Sequence, residues 1–244
     1  MILIGLTGGI ACGKSCVSRI LEEELHIEVI DADRIVRDLQ APNAACTRLI
    51  AARWPLCVHP ETGELNRAAL GKVIFSDAQA RRELQQIMNP AIFRAILKRV
   101  AAAWWRDLWR SGAALSPSIV VLDAPTLFET KALTYLISAS VVVSCSEERQ
   151  IERLRRRNGF SKEEALQRIR SQMTLEAKRR LADYVIDNDY TEDFEALRRS
   201  LRACVSWMSC QSDKRLTCIF GAVAAAAVAL AAVTGYVGYR VLLT

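Results

Sequence analysis

The stretch Leu3–Val17 reads L-I-G-L-T-G-G-I-A-C-G-K-S-C-V and decides the fold. Gly8, Gly13, Lys14 and Ser15 fit the phosphate-loop pattern G-x-x-x-x-G-K-[ST]. An apolar run, Ile2–Leu6, precedes the loop, and an amphipathic stretch, Cys16–Leu25, follows it. That is the strand–loop–helix context the pattern needs. Such a loop wraps an anion with its backbone N–H groups inward, which excludes bulky side chains and ordinary φ angles at its glycines. The helix that follows aims its positive end at the phosphates. Lys14 is placed to reach β- and γ-phosphates, and the Ser15 hydroxyl to bind Mg2+.

Outward from the loop, 244 residues with 51% apolar content allow one α/β domain with insertions. The net charge of +6 is uneven: Arg149 to Arg180 holds 11 Arg and Lys against 4 Glu. A basic segment suits a polyanion, and beside a phosphate loop the phosphates of a bound substrate are favoured over nucleic acid. The 8 Cys form no C-x-x-C pair, and His26 and His59 stand alone. The thiols read as reduced, in a cytosol-like compartment, with no zinc site expected. No charged leader precedes Ile2, so a secretory signal is not expected.

In chain order, Lys14–Leu25 reads as the first helix and His26–Asp31 as the second strand. Asp31-Ala32-Asp33 then sits where open α/β sheets bind ligands; Asp33 also suits the N-cap of a helix Arg34–Leu39. Residues 43–110 read as helical, with Asn89-Pro90 opening a long helix. Trp104, Trp105 and Trp109 continue it as core or partner surface. A polar loop, Ser111–Ser118, leads to a buried strand, Ile119–Leu122, ending in Asp123, which resembles a second Mg2+ contact. Ser140–Cys145 and Tyr184–Ile186 are further strands, and Thr191–Trp207 a last helix. Between them lie two Arg-rich helices, the first stopped by Asn158-Gly159 and the second opened by a Ser161–Glu164 capping box. Arg153 and Arg157, four apart, share a helix face.

The chain resembles the dephospho-CoA kinase family. The residues that carry the resemblance are L-T-G-G-I-A-C-G-K-S from Leu6, V-I-D-A-D from Val29, G-E-L-N-R-A-A-L from Gly63, V-I-F from Val73, and N-P from Asn89. They continue with P-T-L-F-E from Pro125, Q-I-E-R-L-R-R-R from Gln150, S-Q-M-T-L-E-A-K from Ser171 and A-D-Y-V-I-D-N from Ala182. The resemblance implies an α/β phosphate-loop kinase fold with a parallel sheet, a helical CoA-binding insertion and a helical lid. It implies ATP and Mg2+ as cofactors, dephospho-CoA as substrate, and phosphorylation of its ribose 3′-hydroxyl. By position, Asp33 is the general base, and Lys14, Arg153 and Arg157 complete the catalytic set. ATP contacts are implied at Gly8, Gly9, Ile10, Ala11, Cys12, Gly13, Lys14, Ser15, Cys16 and Asn188. Substrate contacts are implied at Thr7, Asp31, Asp33, Arg67, Asn89, Pro125 and Leu127. Mg2+ falls to Ser15, with Asp123 as a second contact. The family usually has Ser, Thr, His and Leu where Cys12, Cys16, Asn89 and Thr126 stand.

The expected division is a kinase-like domain at 1–212, with core segments 1–40, 117–148 and 182–208, an insertion 41–116 and a lid 149–181, then an anchor at 213–244. Leu216–Tyr239 carries no charge over 24 residues. At 1.5 Å per residue it spans about 36 Å, enough for the hydrocarbon core. It reads as a membrane anchor that leaves the catalytic domain in the cytosol, on the endoplasmic reticulum or outer mitochondrial membrane. Two other readings share the loop: a kinase of another nucleotide-like substrate, and a membrane-tethered nucleotide switch.

Overall fold

A computed structural model describes residues 1–110, 118–189 and 194–211. The expected loop at 111–117, the start of the last helix at Thr191 and the apolar stretch Leu216–Tyr239 lie outside the described residues. Among the described residues no helix is long and apolar enough to cross a membrane.

The described residues form two compact units: those of Met1–Glu28, Ala103–Val121 and the chain from Pro125 to Gln211, and those of Val29–Ala102 with Leu122–Ala124. Five strands, β1 (Ile2–Gly8), β2 (Glu28–Asp31), β3 (Ile119–Asp123), β4 (Ala139–Ser144) and β5 (Tyr184–Asp187), make a sheet in the order β2-β3-β1-β4-β5. β1 pairs with β4 and β4 with β5, both parallel. Every residue of β1 and β4 is buried. Both read as continuous apolar runs because a parallel strand covered on both faces has no solvent side.

In the first unit, α1 (Lys14–Glu23) buries Val17, Ile20 and Leu21, the spacing of one helix face. α10 (Phe194–Ser209) buries Leu197, Leu201, Cys204 and Met208 and packs on β1, β5 and α1. Its Trp207 ring lies 4.9 Å from that of Tyr184. α7 (Glu147–Asn158) ends on Gly159, at φ 69, and Ser161 opens α8 (Lys162–Arg170) with a complete capping box. A short helix, α9 (Leu175–Leu181), follows, capped by Thr174 and packed on β4. The chain also carries α6 (Leu127–Thr130), just after Pro125.

The second unit holds α2 (Ala32–Leu39), α3 (Ala45–Arg53) and α4 (Arg67–Ser76), around Cys46, Ile50, Cys57, Leu70 and Met88. Two expectations change here. Asp31, not Asp33, caps α2: its carboxylate accepts from the Arg34 amide at 2.8 Å, so the helix begins at Ala32. Asp33 therefore sits in the first turn, where a carboxylate complements the helix dipole. Asp31 and Asp33 do not share one extended strand. The second change is α5, one helix from Ala78 to Arg110 with Pro90 inside it. Proline removes one backbone bond, about 3 kcal/mol in an isolated helix. A 33-residue helix that buries Ala80, Met88, Ile96, Val100 and Ala103 withstands that loss. Asn89 is thus an exposed mid-helix residue rather than a cap. The end of α5 buries Trp104, while Trp105 and Trp109 are exposed, their rings 5.9 Å apart.

Candidate active site

The phosphate loop runs from Gly8, the last residue of β1, to Gly13, at φ 90, where α1 begins. Gly8 is wedged: a Cβ there would stand 2.7 Å from the Val143 carbonyl oxygen. Ala11, at φ 60, holds a conformation that costs a non-glycine residue roughly 1–2 kcal/mol. Something must hold the loop in this shape.

Four side chains from the C-terminal half of the chain do so. Lys178 Nζ donates to the Gly8 carbonyl at 3.2 Å, Gln150 Nε2 to that of Ile10 at 2.7 Å, and Arg153 Nη1 to that of Ala11 at 3.2 Å. Asn188 Nδ2 donates to the Cys12 carbonyl at 2.8 Å. Each of these four carbonyls is thereby fixed by a side-chain donor. Arg153 also donates to the Asn188 carbonyl at 2.9 Å, joining two of the four. Gln172 Oε1 accepts from the Ile10 amide at 3.2 Å. Among the described residues no acceptor meets the amides of Ala11 and Gly13. With the first amides of α1, these supply the donors of an anion site. Lys14 and Ser15 stand in that first turn, Lys14 half-buried and Ser15 exposed.

Two thiols lie against the loop. Cys145 donates to Cys12 Sγ at 3.5 Å, and both are buried. That bond, helped by the Gly9 and Cys145 backbones and by Arg153, holds the Cys12 thiol below its ordinary range despite burial. The same bond, with burial, pushes Cys145 up. Beyond them Asp189 accepts from the Ser146 amide and hydroxyl, both at 2.8 Å. The amide bond leads in holding its carboxyl below the usual range.

The first unit thus gathers Thr7, the loop from Gly8 to Cys16, Pro125, Leu127, Arg153 and Asn188. Thr7 is fully buried, with its hydroxyl donating to the Pro125 carbonyl at 2.9 Å. Leu127 is also fully buried, its side chain beside Gly5, so only its backbone is left for a substrate. Arg157 is exposed and donates to Asn158 Oδ1 at 2.9 Å. It shares a helix with Arg153, but only Arg153 reaches the loop. Asp31, Asp33, Arg67, Asn89 and Asp123 belong to the second unit. There Arg67 is exposed at the first position of α4, Asp33 is exposed, and Asp123 is buried at the end of β3. Gln150, Gln172 and Lys178 were not singled out from the sequence. Their only sequence signal is membership of the stretches Gln150–Arg157 and Ser171–Lys178.

A parallel sheet with a glycine loop between its central strand and a helix, and Lys-Ser at the helix start, is the arrangement of a phosphate-loop nucleotide-binding fold. Likeness to known proteins narrows the class. A dephospho-CoA kinase family model matches residues 2–193, and the chain belongs to that family. It is 45% identical over 186 residues to a dephospho-CoA kinase of Carboxydothermus hydrogenoformans, covering 76% of this chain and 85% of that one. It is 42% identical over 188 residues to a dephospho-CoA kinase domain-containing protein of Danio rerio, covering 77% and 78%. A crystal structure from Thermus thermophilus superposes with a TM-score of 0.67 at 29% identity, covering 84% of this chain and 96% of that one.

Gly13 carries a direct check of the loop's shape. A Cβ there would lie 2.2 Å from Asn188 Nδ2, at a φ that strains any L side chain. Gly13→Ala is expected to displace Asn188 from the Cys12 carbonyl and weaken ATP binding at least about tenfold, with unchanged far-UV circular dichroism. Calorimetry decides it: wild-type affinity in the folded variant contradicts the loop geometry.

Proposed function

We infer that this protein transfers the γ-phosphoryl group of ATP to the ribose 3′-hydroxyl of dephospho-CoA, giving coenzyme A. The observation that carries this is membership of the dephospho-CoA kinase family over residues 2–193, together with a phosphate loop whose carbonyls are held by side-chain donors. The amides and Lys14 bind the phosphates, and Lys14 offsets charge that builds on the β/γ oxygens during transfer. Mg2+ fits the Ser15 hydroxyl, an exposed hard oxygen donor at the start of α1. Among the described residues no cluster of three or more His, Cys, Asp or Glu is placed to hold a metal. When bound, Mg2+ screens phosphate charge.

The residue roles below rest on the resemblance. Asp33 accepts the proton of the incoming hydroxyl, which a carboxylate ionised at neutral pH can do. Arg67 and Asn89, on the helices of the 41–116 insertion, contact dephospho-CoA, with Asp31, Thr7, Pro125 and Leu127 completing that side. Arg157, exposed on α7, closes over the phosphates as part of the lid 149–181, while Arg153 holds the loop. Asp123 would be the second oxygen donor to Mg2+. Residues 213–244 anchor the enzyme in a membrane, the catalytic domain facing the cytosol.

Asp33→Asn keeps shape and hydrogen bonding and removes the acceptor charge. It is expected to lower kcat by about 10²–10⁴ with the KM for ATP little changed. Normal turnover of dephospho-CoA by that variant would remove Asp33 from the chemistry; no turnover by the wild type would remove the reaction.

The anchor is tested separately, by washing membranes from expressing cells with carbonate. The full chain is expected to stay in the pellet and a chain ending at residue 212 to be released with its activity. Full-length protein in the supernatant contradicts a spanning segment.

A further inference from the structure

The stretch Ser171–Lys178 takes no part in the chemistry above, yet it touches the phosphate loop twice, through Gln172 and Lys178. Lys178 is the unusual member. It sits on α9 with its side chain fully buried. Its ammonium carries three N–H groups, and three acceptors meet it: the Gly8 carbonyl at 3.2 Å, the Pro125 carbonyl at 2.9 Å and Glu129 Oε1 at 2.9 Å. Pro125 accepts a second bond from Thr7, the residue before Gly8. One buried cation therefore joins the end of β1, where the loop begins, to the Pro125–Glu129 segment.

Stability does not explain the arrangement. Removing two charges from water costs several kcal/mol per ion, and an apolar pair of similar size is often as stable or more so. What an ion pair supplies and an apolar pair does not is direction: a fixed orientation for each acceptor. Here the acceptors are the first carbonyl of the phosphate loop and the segment in which the resemblance places substrate contacts.

We propose that Lys178 is a positioning residue for phosphoryl transfer, tying Gly8 and the Pro125–Glu129 segment into one frame that fixes how the phosphate loop leaves β1. Its charge also compensates Glu129, whose carboxylate lies 2.9 Å from the ammonium. The proposal rests on the kinase reading for its consequence on turnover, but not for its consequence on nucleotide binding.

The test uses Lys178→Met and the double variant Lys178→Met, Glu129→Gln in the full chain, because the single change strands a carboxylate and can unfold the protein. Thermal unfolding, calorimetric binding of a non-hydrolysable ATP analogue, and kcat and KM are measured together. The double variant is expected to melt within a few degrees of the wild type. It should bind the analogue about tenfold more weakly and lose about 10²-fold in kcat, the order of loss that a displacement near 1 Å produces. A folded double variant with wild-type analogue affinity and kcat overturns the proposal. Failure of both variants to fold also overturns it, because Lys178 is then a structural residue. A wild type that binds the analogue but does not turn over dephospho-CoA contradicts the activity reading, and the affinity comparison still decides the role of Lys178.

Discussion

A peptide unit carries its carbonyl and its amide on opposite sides, so fixing one fixes the other. The phosphate loop uses this rule four times. Lys178, Gln150, Arg153 and Asn188 each hold one loop carbonyl, at Gly8, Ile10, Ala11 and Cys12. The amides that follow, those of Ala11 and Gly13 among them, then have set directions before any anion arrives. A loop free to flip would have to be ordered by its ligand, at a cost of about 1–2 kcal/mol per residue fixed. Strain at Ala11 and the tight fit of Gly8 and Gly13 persist because these side chains over-determine the backbone.

The four donors come from α7, α9 and the end of β5, elements that follow the loop by more than a hundred residues. Burial makes them effective. Lys178 and Asn188 are out of water, where a hydrogen bond meets no competition and an unmade one is costly. The Arg-rich segment thereby divides. Arg153 is part of the loop's frame, and Arg157, one turn on, is exposed and open to a role in closure. The Cys12–Cys145 contact belongs to the same frame, filling the space behind the loop with two small polarisable groups.

What could be read from the sequence was local. G-x-x-x-x-G-K-S, the apolar runs that became β1 and β4, the stop at Asn158-Gly159 and the capping box at Ser161 all involve neighbours within a turn or a strand. Asp31 displaced Asp33 as cap because both residue types suit the position and only the backbone angle at 31 chooses between them. Pro90 read as a helix start, since proline favours the first turn. Burial along α5 overrode that preference. Gln150, Gln172 and Lys178 were illegible for a different reason. Their partners in the phosphate loop lie 140 to 170 residues away, and a Gln or Lys on this stretch reads as solvated until the fold brings a backbone group to it.

Backbone ¹⁵N relaxation of the nucleotide-free protein tests the central claim most directly. A loop pinned by its carbonyls is expected to give order parameters at Gly9–Gly13 close to those of β1, about 0.85. Adding an ATP analogue should shift the amide resonances of the loop without raising those values. Order parameters below about 0.6 in the free protein, rising when nucleotide binds, would mean that the ligand and not the four side chains shapes the loop.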